Sequence, residues 1–241
     1  MKNVIIYNQI ASKSGGSGRW DGEGLIRYLK AQVENSIRLG WNLEDIVVGT
    51  NFPFNHLGIS SFNLEEICDW SGFNNFWFGA YELLKKGFIE DDFWLHDHDS
   101  WQISPMEFPL FDGVIGGCEY VGTREWNCGA VYFNKKNSLE ILEYIVDFLK
   151  KNKDYPVSSD EVFIAILRRN SPISKYMTSI NSRWNVGLTH GNLRLKEAKK
   201  PVIVFSFKPD QLDIFKKIES LGMSDLIDKD FYSVIKNNFY L

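Results

Sequence analysis

"AYELLKKGFIEDDFWLHDHDSW", residues 80–101, holds the sharpest change of pattern in the chain. Lys85-Lys86-Gly87 reads as the basic last turn and glycine stop of a helix spanning 74–87. The apolar run in 91–97 is then a strand of the kind buried in an α/β sheet. It ends in His96-Asp97-His98-Asp99, where burial should be costly. Side chains alternate along a strand, so for as long as the strand runs Asp97 and Asp99 point one way and His96 and His98 the other. The i, i+2 spacing suits two carboxylates converging on one hard cation. An incomplete oxygen shell fits Mn²⁺ or Mg²⁺, with water and phosphate oxygens in the other positions. Duller readings stand beside this one: Asp99-Ser100 caps a turn, Asp97 is solvated, and the histidines are buried and hydrogen-bonded. The histidines keep that structural reading, and the aspartates carry the functional one.

Outward from this stretch, strands and helices alternate. Val4–Tyr7 is a β-branched and aromatic strand, and the Gly/Ser-rich segment 11–24 is a loop directly after it. Leu25, Leu29, Val33 and Ile37 mark a helix that stops at Gly40, and 44–50 is a second strand. Residues 112–117 and 129–133 are further strands, 138–151 and 159–169 are periodic helices, and 201–207 is a late strand. The tail from 210 is helical, in two pieces broken near Gly222. Its amphipathic stripes (Leu212, Phe215, Ile218; Phe231, Ile235, Phe239) are expected to pack on the sheet. This alternation predicts an open α/β sheet flanked by helices, with ligands beyond the carboxyl ends of the strands. The loop 11–24 and the segment 97–101 fall on that rim.

The whole chain narrows the function classes. Its 241 residues, 44% apolar and 15% aromatic, suffice for one substantial domain, 1–241. A formal net charge of −4 leaves no basic footprint for nucleic acid. No stretch approaches the roughly 20 apolar residues of a transmembrane segment. The start, "MKNVIIYNQI", is too short in its apolar part for a secretory signal. Three cysteines (Cys68, Cys118, Cys128) without metal-type spacing suit reduced thiols and a cytoplasmic setting. Abundant Asn, Lys, Ile and Phe fit an AT-rich bacterial or viral source.

Several segments, taken in order, resemble the GT-A glycosyltransferases, particularly the lipopolysaccharide-galactosyltransferase and glycogenin type. Residues 80–101 look like that family's helix, strand and D-x-D. "EWNCGAVYFN" (125–134) looks like its N-x-G strand, and "VSSDEVFIAILRR" (157–169) like the acidic start of the next helix. "INSRWNV" (180–186) resembles the return toward the site, and "PVIVFSFKPD" (201–210) the closing strand and Lys-Pro. The resemblance implies a Rossmann-like, mixed but mostly parallel sheet with a helical C-terminal tail. Residues 1–96 would form the nucleotide-binding half and 97–241 the metal, donor-sugar and acceptor half.

It also implies a function: metal-dependent transfer of a sugar from a nucleoside diphosphate, with UDP expected, to a glycan or other hydroxyl acceptor. Asp97 and Asp99 would be metal ligands. The family usually supplies a histidine from the last strand; here that stretch is Val204-Phe205-Ser206, and His190 is the candidate third ligand. Tyr7 and Asn8 would meet base or ribose, and Arg19, Trp20 and Asp21 would act from the loop, Arg19 as a diphosphate clamp. Asn127 and Gly129 would lie against the donor sugar. Asp160 would be the acidic residue beside the anomeric carbon, with Glu161 favoured by the helix dipole alone. Asp160 is the general base if the enzyme inverts, or a stabiliser of the oxocarbenium-like centre if it retains. Two other readings remain open: a non-catalytic nucleotide-sugar or glycan binder, and a metal-dependent hydrolase with His96, Asp97, His98 and Asp99 as its ligand set, for which only His56 and His190 remain as further histidines.

Overall fold

Both faces of the first strand are buried, and the rest of the chain is built around it. The structure is a computed structural model and describes residues 1–9, 22–107, 109–120, 125–153, 160–188, 195, 197–211 and 213–240. It opens with β1 (Lys2–Tyr7), α1 (Gly22–Arg38) and β2 (Ile46–Thr50), then a small hairpin of β3 (Asn55–His56) and β4 (Ile59–Ser60). β5 (Phe62–Asn63), α2 (Asn75–Lys85) and β6 (Phe93–His96) lead to the acidic turn, and β7 (Ser100–Gln102) leaves it. β8 (Ile115–Glu119), β9 (Trp126–Phe133), α3 (Ser138–Lys151), α4 (Asp160–Asn170) and β10 (Met177–Ile180) follow. β11 (Val186–Gly187), β12 (Val204–Ser206), α5 (Ile214–Ser220) and α6 (Lys229–Phe239) complete the described chain.

Among the described residues, seven strands form the main sheet in the order β10-β8-β9-β6-β1-β2-β5. β9 runs against β6 and β8, and the other pairs are parallel. The class is thus α/β with a mixed, mostly parallel sheet, drawing strands from either side of position 96. β1 pairs with β2 on one edge and β6 on the other, so strand order reverses between β1 and β6. A crevice forms at such a reversal, and Tyr7 and His96 stand at its lips. A second sheet, β11-β12-β7, lies beyond it, with β7 antiparallel to β12.

Apolar residues fill both faces. Val4 and Ile6 point into a core with α2, α3 and α4, while Ile5 and Tyr7 point into one with α1, α5 and α6. Burying each such aliphatic side chain stabilises by about 1.5–3 kcal/mol. The expected tail helices pack as α5 and α6, which bury Ile218, Phe231 and Ile235; Leu212 lies outside the described residues. Among the described residues no helix is long and apolar enough to cross a membrane. Cys68, Cys118 and Cys128 are free thiols in the interior.

One buried carboxylate ties the loop after β5 to α2. Glu82 accepts from the Glu65 amide at 3.1 and 3.0 Å and from the Glu66 amide at 2.9 Å, and Lys86 Nζ lies 2.6 Å away. Burial pushes this carboxyl up, but Lys86 and the two amides outweigh it and the net direction is down. A lowered folded value stabilises fully above the unfolded carboxylate pKa and fades as pH falls through the folded value. Glu82→Gln should therefore cost about 1–3 kcal/mol at neutral pH. The gap from wild type should narrow near pH 3. Urea denaturation at both pH values reads it.

Candidate active site

The chain changes sheets at the acidic turn. β6 ends at His96, whose Nε2 lies 3.0 Å from Asn3 Oδ1 and whose Nδ1 lies 3.1 Å from Gln32 Nε2. An oxygen on one side and an NH₂ on the other fix the ring as the neutral Nε2–H tautomer. Burial takes its pKa down to about 4. Asp97, His98 and Asp99 belong to neither strand, and the Ser100 amide donates back to Asp97 O at 3.2 Å. Strand alternation stops at His96, so the two aspartates share a turn and not one face of a strand.

Asp97 Oδ1 accepts from the His98 amide and faces His98 Nδ1, both at 2.7 Å. Its side chain is 38% exposed, and Oδ2 carries no hydrogen bond among the described residues. Burial acts to raise the Asp97 carboxyl, but the His98 charge and hydrogen bonds outweigh it and hold the group low. Burial acts to lower His98, and there Asp97 and then Asp99 prevail, holding the imidazole above its ordinary value. Asp99 is buried, with Lys208 Nζ 3.9 Å from Oδ2.

The neighbouring strand ends complete the rim. β9 runs antiparallel to β6, so its first residues lie beside the turn, and the Asp97 amide donates to Gly129 O at 3.0 Å. A Cβ on Gly129 would sit 2.3 Å from Ser100 Oγ and 2.8 Å from Ser206 Oγ, so only glycine fits. Asn127 Oδ1 accepts from the Gly129 amide at 2.9 Å. Ser206 Oγ donates to Asn185 Oδ1 at 2.7 Å and lies 2.8 Å from Ser100 Oγ, joining β12 to β7 under the turn. Asp160, the first residue of α4, is buried; burial, then the charges of Glu161 and Asp97, push its carboxyl well up. Glu161 accepts from the Tyr120 hydroxyl at 3.0 Å.

Neither a family model nor a curated protein matches the sequence. Solved structures do match. The galactosyltransferase LgtC, in complex with donor and acceptor sugar analogues, has a TM-score of 0.56 at 15% identity, covering 97% of this chain and 100% of its own. The glycosyltransferase GlyE of Streptococcus pneumoniae TIGR4 gives 0.59 at 12%, over 98% of this chain and 63% of its own. A glycosyltransferase involved in glycosylation of the major capsid of PBCV-1 gives 0.53 at 13%, over 92% and 100%. The chain has the GT-A fold.

In this GT-A fold, Tyr7, Asn8, Asp97, Asp99, Asn127, Gly129 and Asp160 all sit at or beside the strand ends that frame the crevice. Tyr7 is buried, its hydroxyl 3.0 Å from Gln32 Oε1 and 3.3 Å from His98 O. Asn8 is buried too, with Nδ2 3.4 Å from Asn75 Oδ1. Arg19, Trp20, Asp21 and His190 lie outside the described residues. Two carboxylates with one open oxygen suit a hard divalent ion. Among the described residues no cluster of three or more His, Cys, Asp or Glu completes a ligand set from protein alone. Two participants went unmarked in the sequence. Lys208 falls within the closing Lys-Pro segment, and nothing local singles out Gln32.

Proposed function

We propose that the chain is a glycosyltransferase that moves a sugar from a nucleoside diphosphate, with UDP the expected nucleotide, to a glycan or other hydroxyl acceptor. The observation that carries this reading is the Asp97–Asp99 turn at the strand reversal of a GT-A fold, with Lys208 beside it. Glycosyl transfer builds negative charge on the departing diphosphate and positive charge on the sugar ring. Asp97 and Asp99 are the residues that would hold Mn²⁺ or Mg²⁺, which when bound neutralises the diphosphate. Lys208 adds a fixed positive charge from the β12 side. Asn8 Oδ1 is buried with no hydrogen-bond partner among the described residues, which supports a contact to a donor on base or ribose.

Asn127 and Gly129 border the donor-sugar position, and Asp160 faces the anomeric carbon. Asp160 accepts the acceptor's proton in an inverting reaction, or stabilises the developing cation in a retaining one. Arg19, Asp21 and His190 keep their proposed parts as diphosphate, ribose and third metal contacts. The hydrolase alternative draws no help from His56, whose Nε2 lies 2.8 Å from Glu34 Oε1 on the hairpin side.

A thermal-shift panel of nucleotide sugars with and without Mn²⁺ tests the reading. A ligand present at 100 times its Kd adds about 2.7 kcal/mol to the stability of the state it binds. A Mn²⁺-dependent rise in Tm with a UDP-sugar, and UDP release on adding acceptor glycans, is the expected result. A rise without release leaves a binder, and no rise with any nucleotide sugar removes the proposal.

A further inference from the structure

We propose that Gln32 of α1 is the positioning residue of the Asp97–Asp99 turn; its importance for turnover rests on the diphosphate-binding reading of that turn. Gln32 is 2% exposed, although it sits on a helix face that also carries polar residues. Its Nε2 lies 2.9 Å from Asp97 O, 3.2 Å from His98 O, 3.2 Å from Ser100 O and 3.1 Å from His96 Nδ1. Two amide hydrogens are thus shared among four acceptors, all within residues 96–100. Its Oε1 accepts from the Tyr7 hydroxyl at 3.0 Å, which sets which end of the amide faces the turn. His96 is prepared to match: donation to Asn3 leaves Nδ1 as the acceptor that the Gln32 amide needs.

The need for such a residue follows from the fold. Where the chain passes from one sheet to the other, backbone carbonyls lose their ladder partners while remaining inside the protein. A helical residue supplies what neither sheet can, and every hydrogen bond from its nitrogen ends on the segment bearing the two carboxylates. Leu or Met at this position would fill the space without donating to the carbonyls. The turn would then relax, and the aspartates would lose their spacing. Partners that hold metal ligands in place are typically worth about 10- to 100-fold in metal affinity or activity.

The test uses the full chain with Gln32→Met and Gln32→Leu. Asn134→Ala is the comparator, since its amide bonds Gly113 O at 2.7 Å past the far end of β9. Amide hydrogen exchange at residues 97–100 and titration with UDP in Mn²⁺ are read beside Tm. Both Gln32 variants should exchange faster in the turn than wild type and bind UDP in Mn²⁺ about tenfold more weakly. Asn134→Ala should lose stability without either change. Should the Gln32 variants fail to fold, Tyr7→Phe, which removes the hydroxyl that orients the amide and that also reaches His98 O at 3.3 Å, should show faster exchange across 97–100 and not beside His98 alone. Turn exchange as slow as wild type in the folded variants overturns the proposal. A wild-type chain that binds no UDP with Mn²⁺ sinks the diphosphate reading instead, while the exchange data still decide the role of Gln32.

Discussion

Asparagine at position 97 should lower Mn²⁺-dependent turnover of a UDP-sugar by about 100- to 1,000-fold while the protein stays folded. The substitution is isosteric, and the new Oδ1 can still accept from the His98 amide, which lies 2.7 Å from the present oxygen. What disappears is a formal charge at the place where a cation and a departing diphosphate are proposed to meet. A group aimed at charge that develops in the transition state is worth about 3–4 kcal/mol there. The same charge is worth far less to the fold, because the Asp97 side chain is 38% exposed and its ion pair with His98 is screened. Turnover should therefore fall steeply with little movement of Tm. Asp99→Asn should behave alike in turnover but cost more stability, since that side chain is 12% exposed and Lys208 approaches it. Initial rates of UDP release at saturating donor, set beside melting curves of the same preparation, make the comparison. Wild-type turnover by Asp97→Asn would place the chemistry somewhere else.

The long periodic elements were legible. The expected helix at 138–151 is α3, because Ile141, Leu142, Ile145, Val146 and Leu149 all face the core. The strands β1, β2 and β6 read clearly because both faces are buried and the run is therefore continuously apolar. β7, β10 and β11 were not legible. They are two to four residues long, β7 and β10 are partly polar, and all three depend on partners elsewhere in the sequence, as in the pairing of Val204–Ser206 with 100–102. That second sheet is also why side-chain alternation ends at His96: the strand is over there, and only the i, i+2 spacing of the aspartates carries on into the turn. The chemistry of the D-x-D could be read from residue types, but its geometry depended on a sheet with no local signal. The stripe Leu25, Leu29, Val33 and Ile37 located one face of α1. It missed Tyr28, Gln32 and Ser36, which are buried as well. α6 packs against α1, so the burial of Gln32 on that helix is visible only in the assembled fold.

Trp101→Ala should cost about 3–5 kcal/mol of unfolding free energy, the range for emptying a fully buried aromatic site. Trp101 has no exposed surface, and its indole Nε1 donates to Phe207 O at 2.9 Å. Ring centroids of Tyr28, Phe207, Phe231 and Phe239 lie 5.9, 6.1, 5.9 and 6.4 Å away. One side chain therefore ties β7 to the segment after β12, and ties both to α1 and α6. Alanine leaves a cavity among these rings and a buried carbonyl without its donor, so the loss should sit in the upper part of that range. Trp101→Phe keeps part of the volume and forfeits the hydrogen bond, and should cost less. The two variants also separate stability from function. Asp99 lies two residues before Trp101 and Lys208 follows Phe207, so loosening this joint frees the two charges that flank the proposed diphosphate position. Weaker UDP binding in Mn²⁺ is expected for Trp101→Ala at temperatures well below its own Tm. Urea denaturation with a constant m-value reads the first effect and calorimetric titration the second. A loss under about 1 kcal/mol would mean that the rings close over the gap and that this joint does not hold the two sheets together.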